Sequence, residues 1–146
     1  MRLLKNKIAV ITGGGRGIGK AIASQYSEQG ATVVIAEFDE NSGKNTAEKI
    51  GGHFFKADIS DENGVSTLFD YVKTNFSCLD ILVNNAGILT PTSLEDIDEE
   101  TWDSHFEVNT KGVLLMCQSV LPHMREKKFG RIINIASIAG LSLIHI

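Results

Sequence analysis

Short apolar runs alternate along the chain with longer segments in which apolar residues recur at helical spacing. Most of the short runs are continuous rather than alternating, which is typical of parallel strands that are covered on both faces. They predict five strands, at residues 8–12, 32–36, 53–57, 80–84 and 131–137. Because strands and helices follow one another in turn, the pattern predicts an α/β fold with an open, doubly wound parallel sheet.

The segments between the strands have apolar residues on one face of a helix. This spacing predicts helices at residues 18–29, 41–50, 63–76 and about 99–128. Ser60 is the predicted N-cap of the third helix, and Asp98 that of the fourth. Pro122 has no backbone N–H, so we expect it to kink or break the fourth helix. Ligands of such sheets bind beyond the carboxyl ends of the strands, and motifs found there are the candidates for a site.

Composition and charge narrow the classes of function. The 146 residues suit one domain, 1–146. The net charge of −4 and the lack of any Lys/Arg run argue against a nucleic-acid partner. No apolar run is long enough for a membrane span, and the start resembles no secretion signal, so we expect a cytoplasmic protein without a membrane partner.

Cysteine and histidine spacing argues against a metal site. Cys78 and Cys117 lie far apart in the sequence and have no Cys or His at ligand-like spacing, so we expect buried free thiols in a reducing compartment. The four histidines also lack such partners, and we expect structural or surface roles for His53, His105, His123 and His145.

A glycine-rich turn, TGGGRGIG at residues 12–19, follows the first strand directly. Glycines allow a sharp turn and a close approach to phosphate, and the helix that follows directs N–H groups towards it. The pattern G-x-G-x-x-G does not fit, because Ile18 and Lys20 stand where it needs glycine. A P-loop fits from Gly14 to Lys20, but Ala21 replaces the Ser or Thr that would bind Mg²⁺. The pattern T-G-x-x-x-G-x-G fits throughout.

This turn, together with N-N-A-G at residues 84–87 after the fourth strand, resembles the motifs of the short-chain dehydrogenase/reductase family over residues 5–141. The resemblance implies a Rossmann-type sheet, of which this chain holds about five of seven strands. It also implies hydride transfer between NAD(P) and a small-molecule carbonyl or alcohol substrate. The implied cofactor-binding residues are Gly13, Gly15, Arg16, Gly17, Ile18, Gly19, Glu37, Phe38, Asp58, Ile59, Asn85, Ala86 and Gly87.

Two strand ends bear on the choice of cofactor. Glu37 can accept hydrogen bonds from ribose hydroxyls and would repel a 2′-phosphate. The resemblance puts it where NAD-preferring members carry an acidic residue, whereas Arg16 resembles a feature of NADP use. We therefore expect NAD as the preferred cofactor, with NADP as the alternative. By resemblance Asp58 contacts the adenine amino group and Ile59 packs on the ring, although Asp58 could instead cap a turn.

The resemblance implies four catalytic residues: Asn, Ser, Tyr and Lys. Asn109 matches the helix Asn, whose backbone holds a water in a proton relay, and Ser137 matches the Ser that hydrogen-bonds the substrate oxygen. Neither Tyr26 nor Tyr71 is followed four residues later by Lys. The ending at residues 142–146 departs from the family pattern. We therefore expect a chain truncated before the Tyr-x-x-x-Lys helix and inactive as given.

Other interpretations stay open on the sequence. A non-catalytic dinucleotide-binding module fits the same motifs, and a P-loop hydrolase is disfavoured by Ala21. In the family the fourth helix packs in a dimer interface, so the longer form is expected to be a homo-oligomer. Core packing explains its apolar residues equally well: Trp102, Phe106, Val113, Leu114, Met116, Cys117 and Val120. A missing downstream helix would leave apolar surface on the fifth strand and on the long helix.

Overall fold

The computed structural model describes residues 2–76 and 78–137. Within them the strands are β1 (Ile8–Thr12), β2 (Thr32–Glu37), β3 (His53–Lys56), β4 (Ile81–Asn84) and β5 (Arg131–Asn134). The helices are α1 (Gly17–Glu28), α2 (Glu40–Ile50), α3 (Glu62–Phe76), α4 (Glu99–Phe106) and α5 (Gly112–Glu126). A 3-10 turn, Leu94–Asp96, precedes α4, and a π-helical turn, Glu107–Lys111, joins α4 to α5.

All five strands are parallel and lie in the order β3-β2-β1-β4-β5. Val10 of β1 is in register with Val34 on one side and with Leu82 on the other. The Rossmann-type parallel sheet predicted from the sequence is confirmed. The chain leaves β1 in one direction through β2 and β3, and returns to the other side of β1 with β4. The strand order therefore reverses between β1 and β4, and a crevice opens there at the carboxyl ends.

Both faces of the sheet are covered, which explains why the strands are apolar throughout. On one face Val10 and Leu82 pack with Leu68 of α3 and Met116 of α5. On the other face Ile11 and its neighbours in β2 and β4 pack with the buried alanines of α1 and α2. Burying one such side chain contributes about 1.5–3 kcal/mol, so the two layers together hold the strand ends in fixed positions.

The helix caps agree with the sequence only in part. Asp98 caps α4 as predicted, because its carboxylate accepts a hydrogen bond from the Thr101 amide at 2.8 Å. The prediction for Ser60 is wrong. Asp61, which directly precedes α3, caps it instead, with Oδ2 accepting from the Gly64 amide at 2.7 Å. Both side chains could cap a helix. Because α3 begins at Glu62, the capping position falls on Asp61, one residue after Ser60.

The predicted long fourth helix is interrupted, but the break is not at Pro122. The irregularity is the π-helical turn between α4 and α5, which contains Asn109. Pro122 lies inside α5 without ending it. Pro122 and Gln118 are both exposed, so the carbonyl that Pro122 leaves without an intrahelical donor lies on the solvent side. Strand β5 also ends early, at Asn134 rather than at residue 137.

Apolar surface is exposed where the sequence predicted it, on β5 and on the long helical segment. Ile133 and Ile135 are exposed at the fifth strand, as are Trp102, Phe106 and Leu114 on the helices. Cys78 and Cys117 are free thiols, but they are half-buried rather than fully buried as predicted. In the described part of the chain no helix has both the length and the apolar character needed to cross a bilayer.

Candidate functional site

A cavity of about 440 Å³ lies at the carboxyl ends of β1, β2, β3 and β4. Nine of the thirteen predicted cofactor residues line it: Gly13, Arg16, Glu37, Phe38, Asp58, Ile59, Asn85, Ala86 and Gly87. The remaining four belong to the glycine turn and to the first turn of α1. The fold therefore brings motifs that lie far apart in the sequence to one crevice, at the switch in strand order.

The glycine turn is packed directly against the end of β4. The Gly13 amide donates to the Ala36 carbonyl at 2.8 Å, and Gly13 has a φ of +63°. A Cβ at Gly13 would lie 2.8 Å from the Ala86 Cα, and one at Gly19 would overlap the Gly13 carbonyl and the Asn85 amide. Side chains at these two positions would push the turn away from β4, so the motif needs glycine for close packing.

The amino end of α1 has no side-chain cap, and its N-cap residue lines the cavity. Arg16 occupies the N-cap position and makes no capping hydrogen bond. The first helical amide to find a backbone acceptor is that of Lys20, which bonds the Arg16 carbonyl at 3.2 Å. Nothing lies within 4 Å of where a Cβ of Gly17 would be. An uncapped helix start beside open space fits an anionic group such as a pyrophosphate.

Thr12 and Asn85 join the glycine turn to the N-N-A-G segment. The Thr12 hydroxyl accepts hydrogen bonds from the amides of Asn85 and Ala86, both at 3.0 Å. In return the Asn85 side-chain amide donates to the carbonyls of Thr12 and Gly13, at 3.0 and 3.1 Å. Thr12 is fully buried. This network fixes the distance between the two strand ends that bound the crevice.

Glu37 is the buried carboxylate of the cavity wall, with 8% of its surface exposed. Its Oε2 accepts from the Gly15 amide at 3.0 Å, and its Oε1 accepts from the amides of Phe38 and Asp39 at 3.0 and 3.3 Å. An ionised carboxylate has about four acceptor positions, so three backbone donors leave room for one more. The carboxylate is thus held in place and can still accept a hydrogen bond from a hydroxyl group.

The charged side chains of the cavity wall are mostly acidic, within a lining that is otherwise largely apolar. Glu37, Asp39 and Asp58 line it, and Arg16 is the one Lys or Arg among its described lining residues. The backbone amide of Ser42 above all, and to a smaller extent the charge of Arg16, holds the pKa of Asp39 below its ordinary value. Asp58 also caps a local turn, since its Oδ1 accepts from the amide and hydroxyl of Ser60, at 2.9 and 2.6 Å.

The two predicted catalytic residues lie outside this cavity. Asn109 is in the π-helical turn, and its side chain clamps Ile88: Oδ1 accepts from the Ile88 amide at 2.9 Å, and Nδ2 donates to its carbonyl at 3.0 Å. Ile88 in turn lines the cavity. Ser137 lies three residues beyond β5 and is exposed. The relay role of the Asn109 backbone and the substrate contact of Ser137 stay predictions.

Three residues of the site were missed by sequence reasoning. Thr12 opens the T-G motif and is the last residue of an otherwise apolar strand, which could have marked its hydroxyl as buried. Asp39 follows Glu37 so closely that a second wall carboxylate could have been proposed. Thr46 lies in α2 and donates to the Gly15 carbonyl at 2.9 Å, a contact between residues 31 positions apart that no local pattern shows.

Metal chemistry has no support in the described residues, where no three His, Cys, Asp or Glu side chains gather closely enough to hold an ion. His105 has a structural role instead. Its Nε2 accepts from the Thr90 amide at 3.1 Å, and its Nδ1 lies 2.7 Å from the Thr101 carbonyl, which ties the loop after β4 to α4.

Comparison with known proteins identifies the family to which the chain belongs. The family model for short chain dehydrogenases matches residues 7–145. An uncharacterized oxidoreductase of Staphylococcus aureus strain N315 is 38% identical over 146 residues, which cover 98% of this chain and 63% of that protein. One from Staphylococcus epidermidis is 34% identical over 142 residues, covering 96% of this chain and 62% of that protein. The chain thus spans less than two thirds of the length of these relatives.

Two solved structures from Brucella melitensis share the fold. A 3-ketoacyl-(acyl-carrier-protein) reductase complexed with NADH matches with a TM-score of 0.90 and 37% identity, over 93% of this chain and 59% of that one. A protein described as ribose-5-phosphate isomerase matches with a TM-score of 0.92 and 31% identity, over 95% and 55%. The two names differ in reaction type, so the shared fold by itself does not decide the chemistry.

Proposed function

The chain belongs to the short-chain dehydrogenase family, and from this premise we propose that residues 1–146 form the NAD(P)-binding part of an oxidoreductase. Its reaction would move a hydride between the dinucleotide and a carbonyl or alcohol carbon of a small molecule. The observation that carries the proposal is the uncapped start of α1, whose N-cap residue Arg16 lines the cavity at the β1–β4 switch.

The amides of Gly17, Ile18 and Gly19 would hold the pyrophosphate. They form the first turn of α1, where no intrahelical acceptor exists and the helix dipole favours negative charge. The bare backbone at Gly17 leaves the space that a phosphate needs. A side chain at either Gly13 or Gly19 would disturb this turn, so both glycines keep the amides in place.

The adenosine half would occupy the cavity between β1, β2 and β3. Glu37 would accept hydrogen bonds from the ribose, using the acceptor position that its three backbone donors leave open. Asp58 would meet the adenine amino group, with Ile59 against the ring. The three carboxylates of the wall would repel a 2′-phosphate, which favours NAD over NADP, and Arg16 is the residue that could offset this preference.

The nicotinamide ring, when bound, would supply or accept the hydride at its C4 carbon. Ser137 would hydrogen-bond the substrate oxygen and stabilise charge that develops there. The backbone of Asn109 would hold a relay water, while its side chain keeps Ile88 at the cavity rim.

The proton path of the family needs a tyrosine whose pKa is lowered by a nearby lysine. Tyr26 lies in α1. Tyr71 lies in α3 and packs against Phe55 and Phe76, with ring centroids 5.0 and 6.0 Å apart. Neither is among the described residues that line the cavity. We therefore expect the 146-residue chain to bind dinucleotide without turning over a carbonyl substrate.

Self-association is the partner interaction that we expect of this protein. Trp102 and Phe106 pack together with ring centroids 4.8 Å apart, yet each is at least half exposed, and Leu114 on α5 is exposed as well. Large apolar side chains exposed on successive helices support an interface between copies.

Fluorescence titration with NADH and NADPH tests the proposal on the 146-residue chain. We expect saturable enhancement of nicotinamide emission, with tighter binding of NADH. Glu37→Gln, which removes the charge and keeps the size, should narrow the difference between the two. Asp70→Asn, which neutralises an exposed aspartate on α3, is the matched control and should leave it unchanged. Tighter binding of NADPH by the unaltered chain would overturn the NAD preference, and binding of neither would overturn the dinucleotide function.

A further inference from the structure

The peptide units on either side of Gly15 are held by hydrogen bonds from two different elements. The Gly15 amide donates to Oε2 of Glu37 at 3.0 Å, and the Gly15 carbonyl accepts from the Thr46 hydroxyl at 2.9 Å. Both contacts are buried, and Thr46 is fully inaccessible to solvent. A continuous path of hydrogen bonds therefore runs from helix α2 through the glycine turn to the carboxylate at the end of β2.

Helix α2 also confines the turn by packing. The Ser42 hydroxyl lies 2.5 Å from where a Cβ of Gly15 would be, and a Cβ at Gly43 would lie 3.0 Å from that of Glu37. The start of α2 is itself fixed, because the Asp39 carboxylate accepts from the Ser42 amide at 2.9 Å. The backbone at Gly15 thus has little space in which to rotate, and Thr46 determines where its carbonyl points.

The position of Glu37 depends on this arrangement. One carboxylate oxygen is held by the amides of Phe38 and Asp39, so Gly15 is the remaining backbone donor that fixes the other oxygen. A carboxylate held at both oxygens presents its open acceptor position in one direction and cannot swing aside. It would therefore receive a ribose hydroxyl well and a 2′-phosphate poorly.

We propose that Thr46 is a positioning residue for cofactor selectivity: by fixing the Gly15 carbonyl it orients Glu37 towards a 2′-hydroxyl and against a 2′-phosphate. This inference rests on the proposed dinucleotide function. The role requires the hydroxyl of Thr46, because that group donates the hydrogen bond to the Gly15 carbonyl.

Hydrogen exchange of the Gly15 amide tests, without any cofactor, whether Thr46 holds the backbone at Gly15 in place. Thr46→Val keeps the shape and removes the donor, so exchange at Gly15 should become about tenfold faster or more, as expected for loss of one buried hydrogen bond. Thr46→Ser keeps the donor and should restore slow exchange. Thr67→Val is the matched control, because it removes a hydroxyl-to-carbonyl bond within α3, at 2.8 Å from Asn63. Unchanged exchange in Thr46→Val would overturn the proposal.

The ratio of the NADPH and NADH dissociation constants tests the consequence. It should fall by about three- to tenfold in Thr46→Val and stay at the unaltered value in Thr46→Ser and Thr67→Val. A ratio unchanged in Thr46→Val, in a chain that binds NADH, overturns this inference and leaves the dinucleotide function standing. Binding of neither nucleotide overturns both. If Thr46→Val and Thr46→Ala both fail to fold, the hydroxyl serves the fold as a whole and the selectivity role is wrong.

Discussion

Thr12 and Asn85, 73 positions apart in the sequence, hold each other by reciprocal hydrogen bonds. The Thr12 hydroxyl accepts from the Asn85 backbone amide, and the Asn85 side chain donates to the Thr12 carbonyl, each at 3.0 Å. These contacts link the ends of β1 and β4, the two strands between which the strand order reverses. The two strand ends that bound the crevice are therefore held together by a polar network as well as by packing.

Replacing Thr12 with Val tests this junction. The amides of Asn85 and Ala86 would lose their shared acceptor, and leaving part-buried donors unpaired costs about 1–3 kcal/mol each. Urea unfolding should show a lower midpoint for Thr12→Val, whereas Thr12→Ser keeps the acceptor and should lie close to the unaltered chain. Equal midpoints for the Val and Ser variants would contradict the assigned role.

Gly19 packs on the Gly13 carbonyl and the Asn85 side chain, so Gly19→Ala should displace the glycine turn. We expect a larger loss of unfolding free energy than for Gly51→Ala. Gly51 has a φ of +63° and open space around it, so an added methyl there meets only backbone strain of about 1–2 kcal/mol. Thermal unfolding of both variants makes the comparison. A smaller effect at Gly19 than at Gly51 would refute the close packing of Gly19 on the Gly13 carbonyl and the Asn85 side chain.

Asp80 connects the amino ends of β1, β4 and the segment after α5. Its carboxylate accepts from the Ile8 amide at 2.9 Å and from Lys127 at 2.8 Å, with Lys7 at 3.7 Å. Burial by itself raises the pKa of Asp80, but the hydrogen bonds from Lys127 and Ile8 and the charges of both lysines outweigh it and hold the pKa below its ordinary value.

The sign of the pH dependence follows from that lowered pKa. Asp80 contributes stability fully above its unfolded-state pKa of about 3.9, and this contribution is lost as the pH falls through the lower pKa of the folded chain. Asp80→Asn should cost about 1.5–3 kcal/mol at neutral pH, reduced by solvent screening of the partly exposed lysines. Urea unfolding between pH 7 and pH 3 should show a shallower acid decline in Asp80→Asn than in Asp70→Asn. Parallel declines would mean that Asp80 is not the group responsible.

The side chain of Asn109 holds the backbone of Ile88, the residue that follows the N-N-A-G motif. Asn109→Ala removes both hydrogen bonds to Ile88, whereas Asn109→Asp keeps the acceptor for the Ile88 amide. Amide exchange at Ile88 should therefore become fast in the Ala variant and remain slow in the Asp variant at neutral pH. Fast exchange at Ile88 in the unaltered chain would show that the clamp does not form in solution.

The sheet could be predicted from the sequence because its strands are apolar on both faces. The span of β1 agrees with the prediction at both ends, since Ile8 follows a polar segment and Gly13 ends the run. The cavity could be predicted as well, because glycine motifs and acidic residues stand directly after the strands. Each of these signals is local, and a parallel sheet brings strand ends together without further information.

Features that depend on long-range contacts or on one-residue choices were not predicted. Ser60 and Asp61 are both suitable caps, and only the path of the chain into α3 selects Asp61. Pro122 is accommodated because its side of α5 is exposed, which the sequence alone does not show. The contact between Thr46 and Gly15 depends on how α2 packs against the turn.

Nitrogen-15 NMR of the 146-residue chain during titration with NADH shows which backbone amides contact the bound pyrophosphate. If the start of α1 receives the pyrophosphate, the amide resonances of Gly17, Ile18 and Gly19 should shift together and saturate at one dissociation constant, while that of Gly51 at the end of α2 stays in place. Saturating NADH without shifts at these three amides would contradict the account. So would shifts confined to helices α3 and α5.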